Sequence, residues 1–170
     1  MSKVIATIKV KDIGTMEFEL FMDTPNSTAN FVSLANSKYY DGLTMHRIVT
    51  DFVAQGGCPD GTGMGGPGYN IDGEFKSNGF DNPHSHVKGS IAWARSMARN
   101  SAGSQFYITL GDTSFLDEDY ACFGKIVSGE EVLGKLNDLS SNSGTPKEMV
   151  IIESVTINTN GIEVPEVKKV

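Results

Sequence analysis

An arginine and a glutamine stand in a stretch of the chain that is otherwise apolar. Arg47 and Gln55 bracket Val49, Phe52 and Val53. A guanidinium is costly to bury in such a stretch unless it is paired or faces a ligand. The pattern therefore allows two interpretations. One is a surface arginine on the outer side of a strand, and the other is an arginine that is paired or faces a ligand.

Other polar residues form weaker patterns. Residues 61–66 match G-x-G-x-x-G, but the dinucleotide fingerprint requires a helix to begin there, and Pro67 follows without helical periodicity. A loop close to a ligand or to a neighbouring strand is favoured instead. His84, His86 and His46 lack the carboxylate or cysteine spacing of a zinc site, which favours a structural or surface role for the first two. We expect no cofactor and no metal.

Short strands and two helices must position these residues. Alternation and β-branched residues predict strands over residues 4–10, 16–21, 44–49, 52–55, 90–94, 105–110, 121–127 and 149–157. The turn at residues 11–14 joins the first two strands into a hairpin. Thr24, as N-cap, and Pro25 predict a helix that ends near residues 36–38. A second helix is predicted over residues 129–139.

These elements indicate a mainly β fold. Seven or eight short strands with 19 glycines suit a sandwich or a closed barrel. Two helices could bury their apolar faces over the open ends of a barrel. Because no linker or repeat divides the chain, residues 1–170 are expected to form one domain with a core of about 4–158 and a short polar C-terminal tail.

The composition argues against several classes of function. With 39% hydrophobic and 21% charged residues, the chain is typical of a globular protein. A formal charge of −7 and no cluster of Lys and Arg argue against nucleic acid as a partner. No stretch has the length of a membrane span, and no apolar leader is visible. Cys58 and Cys122 are expected to stay reduced. A cytoplasmic monomer is the default expectation.

Several spaced segments resemble the motifs of the cyclophilins, a family of peptidyl-prolyl cis–trans isomerases. The segments are His46-Arg47-Ile48 through Phe52, Gln55-Gly56-Gly57, Gly103-Ser104-Gln105-Phe106-Tyr107-Ile108, Phe115-Leu116-Asp117 and Phe123-Gly124-Lys125-Ile126. Asn30-Phe31 and Tyr39-Tyr40-Asp41-Gly42 also fit. The similarity runs from about residue 4 to about residue 158. It implies a closed eight-stranded antiparallel β-barrel capped by two α-helices.

The resemblance also implies an activity and residue roles. The chain would accelerate rotation of X-Pro peptide bonds in proline-containing polypeptides and assist protein folding, without a covalent intermediate or a cofactor. Arg47, Phe52 and Gln55 would be catalytic. The residues that would bind substrate are His46, Val53, Ala94, Arg95, Gln105, Tyr107, Phe115, Leu116 and Tyr120.

Some positions depart from the usual residues of the family. These are Val53 for Met, Arg95 for Asn, Tyr107 for Phe, Phe115 for Trp and Tyr120 for His. The family's tryptophan helps to bind cyclosporin A through its indole N–H, and phenylalanine has no such donor. We therefore expect this chain to bind cyclosporin A more weakly than relatives with Trp.

Alternative functions remain open from the residues themselves. A binding module could hold prolyl peptides with turnover incidental, although Arg47 with Phe52 and Gln55 favours an isomerase, since a mere binder does not need the arginine. A dinucleotide or metal enzyme would be purified with its cofactor bound. A serine triad lacks the G-x-S-x-G elbow, but triads follow geometry rather than chain order.

Overall fold

The computed structural model describes residues 2–170 and contains eight strands and two α-helices among them. In chain order they are β1 (Val4–Val10), β2 (Gly14–Leu20), α1 (Pro25–Asn36), β3 (Arg47–Val49), β4 (Val53–Gly56), β5 (Ser90–Trp93), β6 (Phe106–Thr109), β7 (Cys122–Ser128), α2 (Glu130–Asp138) and β8 (Ile152–Asn158). Short 3₁₀ turns cover Lys76–Asn78 and Ser114–Leu116. The predicted hairpin and both predicted helices are confirmed.

All strands belong to one antiparallel sheet in the order β3-β4-β6-β5-β7-β2-β1-β8. The closed barrel is not confirmed, because the sheet is curled but its end strands β3 and β8 form no ladder with each other. An isolated bridge between Thr44 and Ile151 joins the segments that precede them. The Met45 amide also donates to the Val150 carbonyl at 2.9 Å. Of residues 44–46, which were predicted as strand, Thr44 and Met45 therefore pair with residues 150–151 and lie outside β3.

A loop covers the outer edge of β3. The Ile48 amide donates to the Gly144 carbonyl at 2.9 Å, and the Ser141 amide donates to the Ile48 carbonyl at 3.1 Å. These bonds satisfy backbone groups that an edge strand otherwise leaves unpaired. The three-residue strand is thereby held on both sides, by β4 and by residues 141–144.

Alternation along the strands gives the sheet an inner face and an outer face. The inner face, together with the helices, builds the main core around Phe31 of α1. The Phe31 ring lies 5.4 Å from that of Phe106 and 5.5 Å from that of Phe123. Trp93 is the largest fully buried side chain. From α2, Val132, Leu133 and Leu136 are buried.

The N-terminus of α1 is capped by a residue that is distant in sequence. Thr24 occupies the N-cap position and Pro25 begins the helix, as predicted, but the Thr24 hydroxyl makes no capping bond and instead donates to the Phe21 carbonyl at 3.1 Å. The buried carboxylate of Glu74 accepts from the Ser27 amide at 2.6 Å and from the Asn26 amide at 3.4 Å. A carboxylate also interacts favourably with the positive end of the helix dipole, which explains why it replaces the hydroxyl.

The predicted C-terminal tail docks on the domain. Asn26 accepts from the Lys168 amide at 2.8 Å and donates to its carbonyl at 3.0 Å. The Lys169 ammonium lies 4.4 Å from the centre of the Tyr69 ring. Val170 exchanges backbone hydrogen bonds with Asn70. Across residues 2–170, no helix combines the length and apolar character needed to cross a membrane.

Candidate active site

Five residues from five strands lie side by side across the sheet. The register places Arg47 opposite Gln55, Gln55 opposite Tyr107, Tyr107 opposite Ala92, and Ala92 opposite Cys122. Directly opposed residues project to the same face of a sheet. We call these five residues the site row. It lies on the outer face, because the residues that alternate with it, such as Ile48 and Ile108, belong to the main core.

A second apolar group, the outer cluster, surrounds the apolar end of the site row. Its buried members are Val53, Ala92, Tyr107 and Cys122, and partly buried Phe21, Phe52, Ala94, Leu116 and Tyr120 pack against them. The structure thus brings together six of the predicted site residues: Phe52, Val53, Ala94, Tyr107, Leu116 and Tyr120. Sequence reasoning missed Phe21, Ala92 and Cys122, whose only signal is the alternation of their strands.

Phe115 lies at the edge of the outer cluster. Its side chain is 72% exposed. Its ring stacks on that of Phe52, with the ring centres 5.9 Å apart and the planes 18° from parallel. The predicted substrate-binding position is therefore an open aromatic surface.

A chain of side-chain amides holds the guanidinium of Arg47. Arg47 is exposed, and its Nη1 donates to Gln55 Oε1 at 3.2 Å. Gln55 Nε2 donates to Gln105 Oε1 at 3.1 Å. Gln105 Nε2 donates to the carbonyls of Gly63 and Gly65 at 2.9 and 3.0 Å. Each amide is oriented by the next, so the Gln55 oxygen is fixed toward Arg47.

Residues 61–66, which we call the glycine-rich loop, form one wall of a cavity of about 610 Å³ that Gln55, Ala94, Arg95 and Gln105 also line. The loop is organised around Cys58, whose thiol donates to Asp60 at 3.0 Å while its sulfur accepts from the amides of Gly63 and Gly65. Hydrogen bonds from the Cys58 thiol and from Thr62 lower the pKa of Asp60 to about 2. The predicted loop beside a neighbouring strand is confirmed.

The side chain of Arg95 braces the site from behind. Its guanidinium lies 4.8 Å from the ring centres of both Tyr120 and Phe75 and donates to the Asp119 carbonyl at 2.7 Å. The neighbouring Ala94 amide donates to the Gln105 carbonyl at 3.0 Å. Arg95 therefore supports the Tyr120 ring, and its N–H groups donate to carbonyls of the protein itself.

His46 lies against the glycine-rich loop. Its Nε2 is so close to Gly63 that a Cβ at that glycine would approach it to 3.3 Å. Burial, followed by the charge of Arg47, lowers the pKa of His46. Its Nδ1 is buried and has no hydrogen-bond partner within the part of the chain that the structure describes. Of the predicted substrate-binding residues, His46 and Gln105 are thus the two that contact the glycine-rich loop.

His86 is buried directly behind the outer cluster. Its Nε2 lies 2.9 Å from the Tyr107 hydroxyl, and its Nδ1 lies 2.9 Å from the Asp117 carboxylate. Burial lowers the pKa of His86, although the hydrogen bond and charge of Asp117 act in the opposite direction. The predicted structural role suits this position, but the sequence did not indicate its partner Tyr107.

The protein is β-rich, and the outer face of its curled sheet places the Arg47 guanidinium beside the outer cluster. Such a surface can receive a small apolar ring and donate a hydrogen bond next to it. Comparisons with known proteins identify its family. Residues 5–157 match the family model described as cyclophilin type peptidyl-prolyl cis-trans isomerase/CLD. The chain belongs to this family and is a peptidyl-prolyl cis–trans isomerase.

Relatives and solved structures agree with this assignment. A peptidyl-prolyl cis-trans isomerase of Helicobacter pylori is 42% identical over 158 residues, which cover 91% of this chain and 87% of that protein. Peptidyl-prolyl cis-trans isomerase B of Bacillus subtilis is 41% identical over 141 residues, covering 82% and 92%. A crystal structure of a Cryptosporidium parvum cyclophilin type isomerase, determined in the presence of the dipeptide Ala-Pro, superposes with a TM-score of 0.83 at 32% identity and covers 92% of this chain and 99% of that one.

Proposed function

We propose that this chain rotates X-Pro peptide bonds without a covalent intermediate, with Arg47 donating a hydrogen bond to the prolyl nitrogen in the twisted transition state. The observation that carries the proposal is the site row, which sets the Arg47 guanidinium, steered by Gln55, on the same face as Tyr107 and the outer cluster. The substrates are proline-containing polypeptides, and assistance to protein folding is the proposed cellular role. The structure of the related Cryptosporidium protein, determined in the presence of the dipeptide Ala-Pro, supports this substrate class.

The chemistry follows from the electronic structure of the amide. Rotation about the bond breaks its resonance, which gives a barrier of about 18–20 kcal/mol. In the twisted form the prolyl nitrogen becomes pyramidal and carries a lone pair that the planar forms lack. A donor aimed at that lone pair binds the transition state more tightly than either ground state, which is the condition for catalysis. An arginine suits this role because it is permanently charged and only donates.

The arginine accounts for part of the acceleration. A hydrogen bond from a charged group contributes about 1.5–3 kcal/mol, whereas a 10⁵-fold acceleration requires about 7 kcal/mol. Positioning and desolvation supply the remainder. We assign these to the outer cluster, where Phe52, Val53, Tyr107 and Leu116 would receive the proline ring.

The remaining predicted residues would bind the chain on either side of proline. Gln105, Ala94 and Arg95 line the cavity next to Gln55, and we propose that the main chain of residues 94–95 contacts the substrate backbone. His46 at the loop wall, Phe115 at the outer edge and Tyr120 against Tyr107 complete the contact surface.

Substitution of Arg47 tests the proposal. We expect Arg47→Ala to lower kcat/KM for a prolyl peptide by about 10- to 100-fold, the equivalent of one charged hydrogen bond. Peptide affinity should remain measurable, because the outer cluster is intact. Exchange NMR on a prolyl peptide measures both quantities, and Arg99→Ala, at an exposed arginine, is the matched control. Turnover equal to that of the unsubstituted protein would refute the role of Arg47, whereas an unsubstituted protein that binds the peptide without turnover would be a peptide-binding module.

A further inference from the structure

A buried aspartate–histidine–tyrosine chain lies behind the outer cluster. The His86 side chain is fully buried. It is 2.9 Å from the Tyr107 hydroxyl on one side and 2.9 Å from Asp117 Oδ1 on the other. The imidazole also stacks on the Tyr107 ring, with the planes 18° from parallel. The three side chains therefore form one continuous contact from the surface turn to strand β6.

The hydrogen bonds fix where each proton lies. Burial raises the pKa of Asp117, but hydrogen bonds from Ser85 and His86 outweigh that effect and lower it overall, so the carboxylate is an acceptor. His86 Nδ1 must then carry the ring proton. A neutral imidazole accepts at its other nitrogen, so the Tyr107 hydroxyl donates to Nε2. The only proton of this hydroxyl is thus directed to His86 and away from the outer cluster.

The backbone of His86 also holds the turn at residues 113–117. Its carbonyl accepts from the Thr113 amide at 3.0 Å, and its amide donates to Asp117 Oδ1 at 2.6 Å. This turn carries Phe115 and Leu116. One residue therefore binds both ends of the turn through its backbone and the Tyr107 wall through its ring.

We propose that His86 is a positioning residue that sets the distance between two walls of the prolyl site, Tyr107 on β6 and Leu116 on the 113–117 turn. This inference rests on the proposed function of the outer cluster. Without the imidazole, the Tyr107 hydroxyl is buried and unpaired, which is costly enough to displace the ring or the turn. The aspartate–histidine–tyrosine arrangement also explains why a tyrosine fits at position 107, since the Tyr107 hydroxyl has His86 as a buried hydrogen-bond partner.

A double-mutant cycle tests the coupling. We expect His86→Leu and Tyr107→Phe each to lower kcat/KM by about 2- to 10-fold, because each leaves a buried polar group without its partner. The double variant should recover to within about twofold of the unsubstituted protein, since both polar groups are then replaced by apolar ones. His84→Leu is the matched control. His84 pairs with Asp23, and its effect should simply multiply with that of Tyr107→Phe.

A spectroscopic measurement separates positioning from stability alone. In ¹⁵N-labelled protein, His86 should show a protonated Nδ1 and an unprotonated Nε2, and a prolyl peptide should shift these signals. In Tyr107→Phe the peptide-induced shift should be lost. If His86→Leu does not fold, the proposal can still be tested by comparing the peptide-induced shift of the His86 signals in the unsubstituted protein and in Tyr107→Phe.

Two results would overturn the inference: independent effects of the two substitutions in the cycle, or imidazole signals that do not respond to peptide. Failure of the proposed function is distinguishable, because it would appear as an unsubstituted protein without isomerase turnover, or as Arg47→Ala with unchanged turnover. Either can be seen before the His86 variants are compared.

Discussion

Arg47 shows how the guanidinium of a surface arginine can be held in place. The two interpretations of the sequence, a surface residue or a residue that is paired or faces a ligand, both describe part of the structure, because the residue is exposed yet hydrogen-bonded to Gln55. Two further amide links anchor Gln55 to the glycine-rich loop. Fixing a long side chain costs conformational entropy. The bonds that link Arg47 to the glycine-rich loop restrict its rotamers already in the free protein, so less of this entropy would be lost on binding.

Phe115 allows a direct test of drug affinity at the residue scale. Because its ring is 72% exposed and stacked on Phe52, an indole can replace it without repacking. We expect Phe115→Trp to tighten cyclosporin A binding by about 2- to 10-fold, the value of one added hydrogen bond. Inhibition constants measured in the isomerase assay check this.

Phe115→Leu is the control for the cyclosporin prediction, since it removes the aromatic ring and adds no donor. A tryptophan variant that binds no more tightly than the unsubstituted protein would show that the missing N–H does not limit affinity.

At the scale of elements, β4 organises the site. It pairs with β3 on one side and β6 on the other, which places Gln55 between Arg47 and Tyr107. A shift of one residue in either register would turn these side chains to the opposite face. At the end of β4, Gly57 has a φ of 89°, and a Cβ there would lie 2.5 Å from the Ser104 carbonyl oxygen. The glycine thus permits the close approach that sets this register.

The cap of α1 gives a stability prediction. We expect Glu74→Ala to lower the free energy of unfolding by about 1–2 kcal/mol, because the amides of Ser27 and Asn26 lose their acceptor and the helix dipole loses its charge partner. Denaturant titration measures the change. Glu148→Ala, at an exposed glutamate, is the control. Equal stabilities of the two variants would contradict the capping role.

Local patterns predicted the elements better than their connections. The hairpin β1–β2 and both helices follow from alternation, Pro25 and periodic apolar residues within short windows. The cap from Glu74, the docking of Lys168 on Asn26 and the His86–Tyr107 bond join residues far apart in sequence. Such contacts depend on how the strands pair, which periodicity does not specify.

The residues of the candidate site could be predicted only because their segments resemble the cyclophilin motifs. Arg47, Gln55 and Tyr107 could be named from motifs, but their alignment in one row depends on two cross-strand registers. Arg95 shows the limit of that transfer. The motif implied a substrate contact, proposed for the main chain, and gave no indication that the side chain would brace Tyr120 and Phe75.

At the scale of the whole molecule, the sheet separates the stabilising core from the candidate site. The main core lies on the inner face, with Phe31, Trp93 and Phe123 fully buried, and the outer cluster lies on the other face. Substitutions in the outer cluster therefore do not remove side chains of the main core. This separation makes the proposed site variants suitable for activity measurements.

Both cysteines give a readout of global unfolding. Cys58 and Cys122 are free and 1% exposed, and burial raises the pKa of Cys122 to about 11. Since the thiolate is the reactive form, we expect neither thiol to react with a disulfide reagent at pH 8 in the native protein. Both should react once denaturant unfolds the chain, and Cys122→Ser assigns the two signals. Rapid labelling of the native protein would contradict the burial of these residues.

The loop at residues 141–144 has a consequence for behaviour in concentrated solution. By bonding to Ile48 it occupies the free side of the strand that carries Arg47. A second molecule therefore cannot extend the sheet there by adding a strand of its own unless that loop is first displaced. The proposed substrate-binding face is in this way protected along its margin from pairing with another molecule.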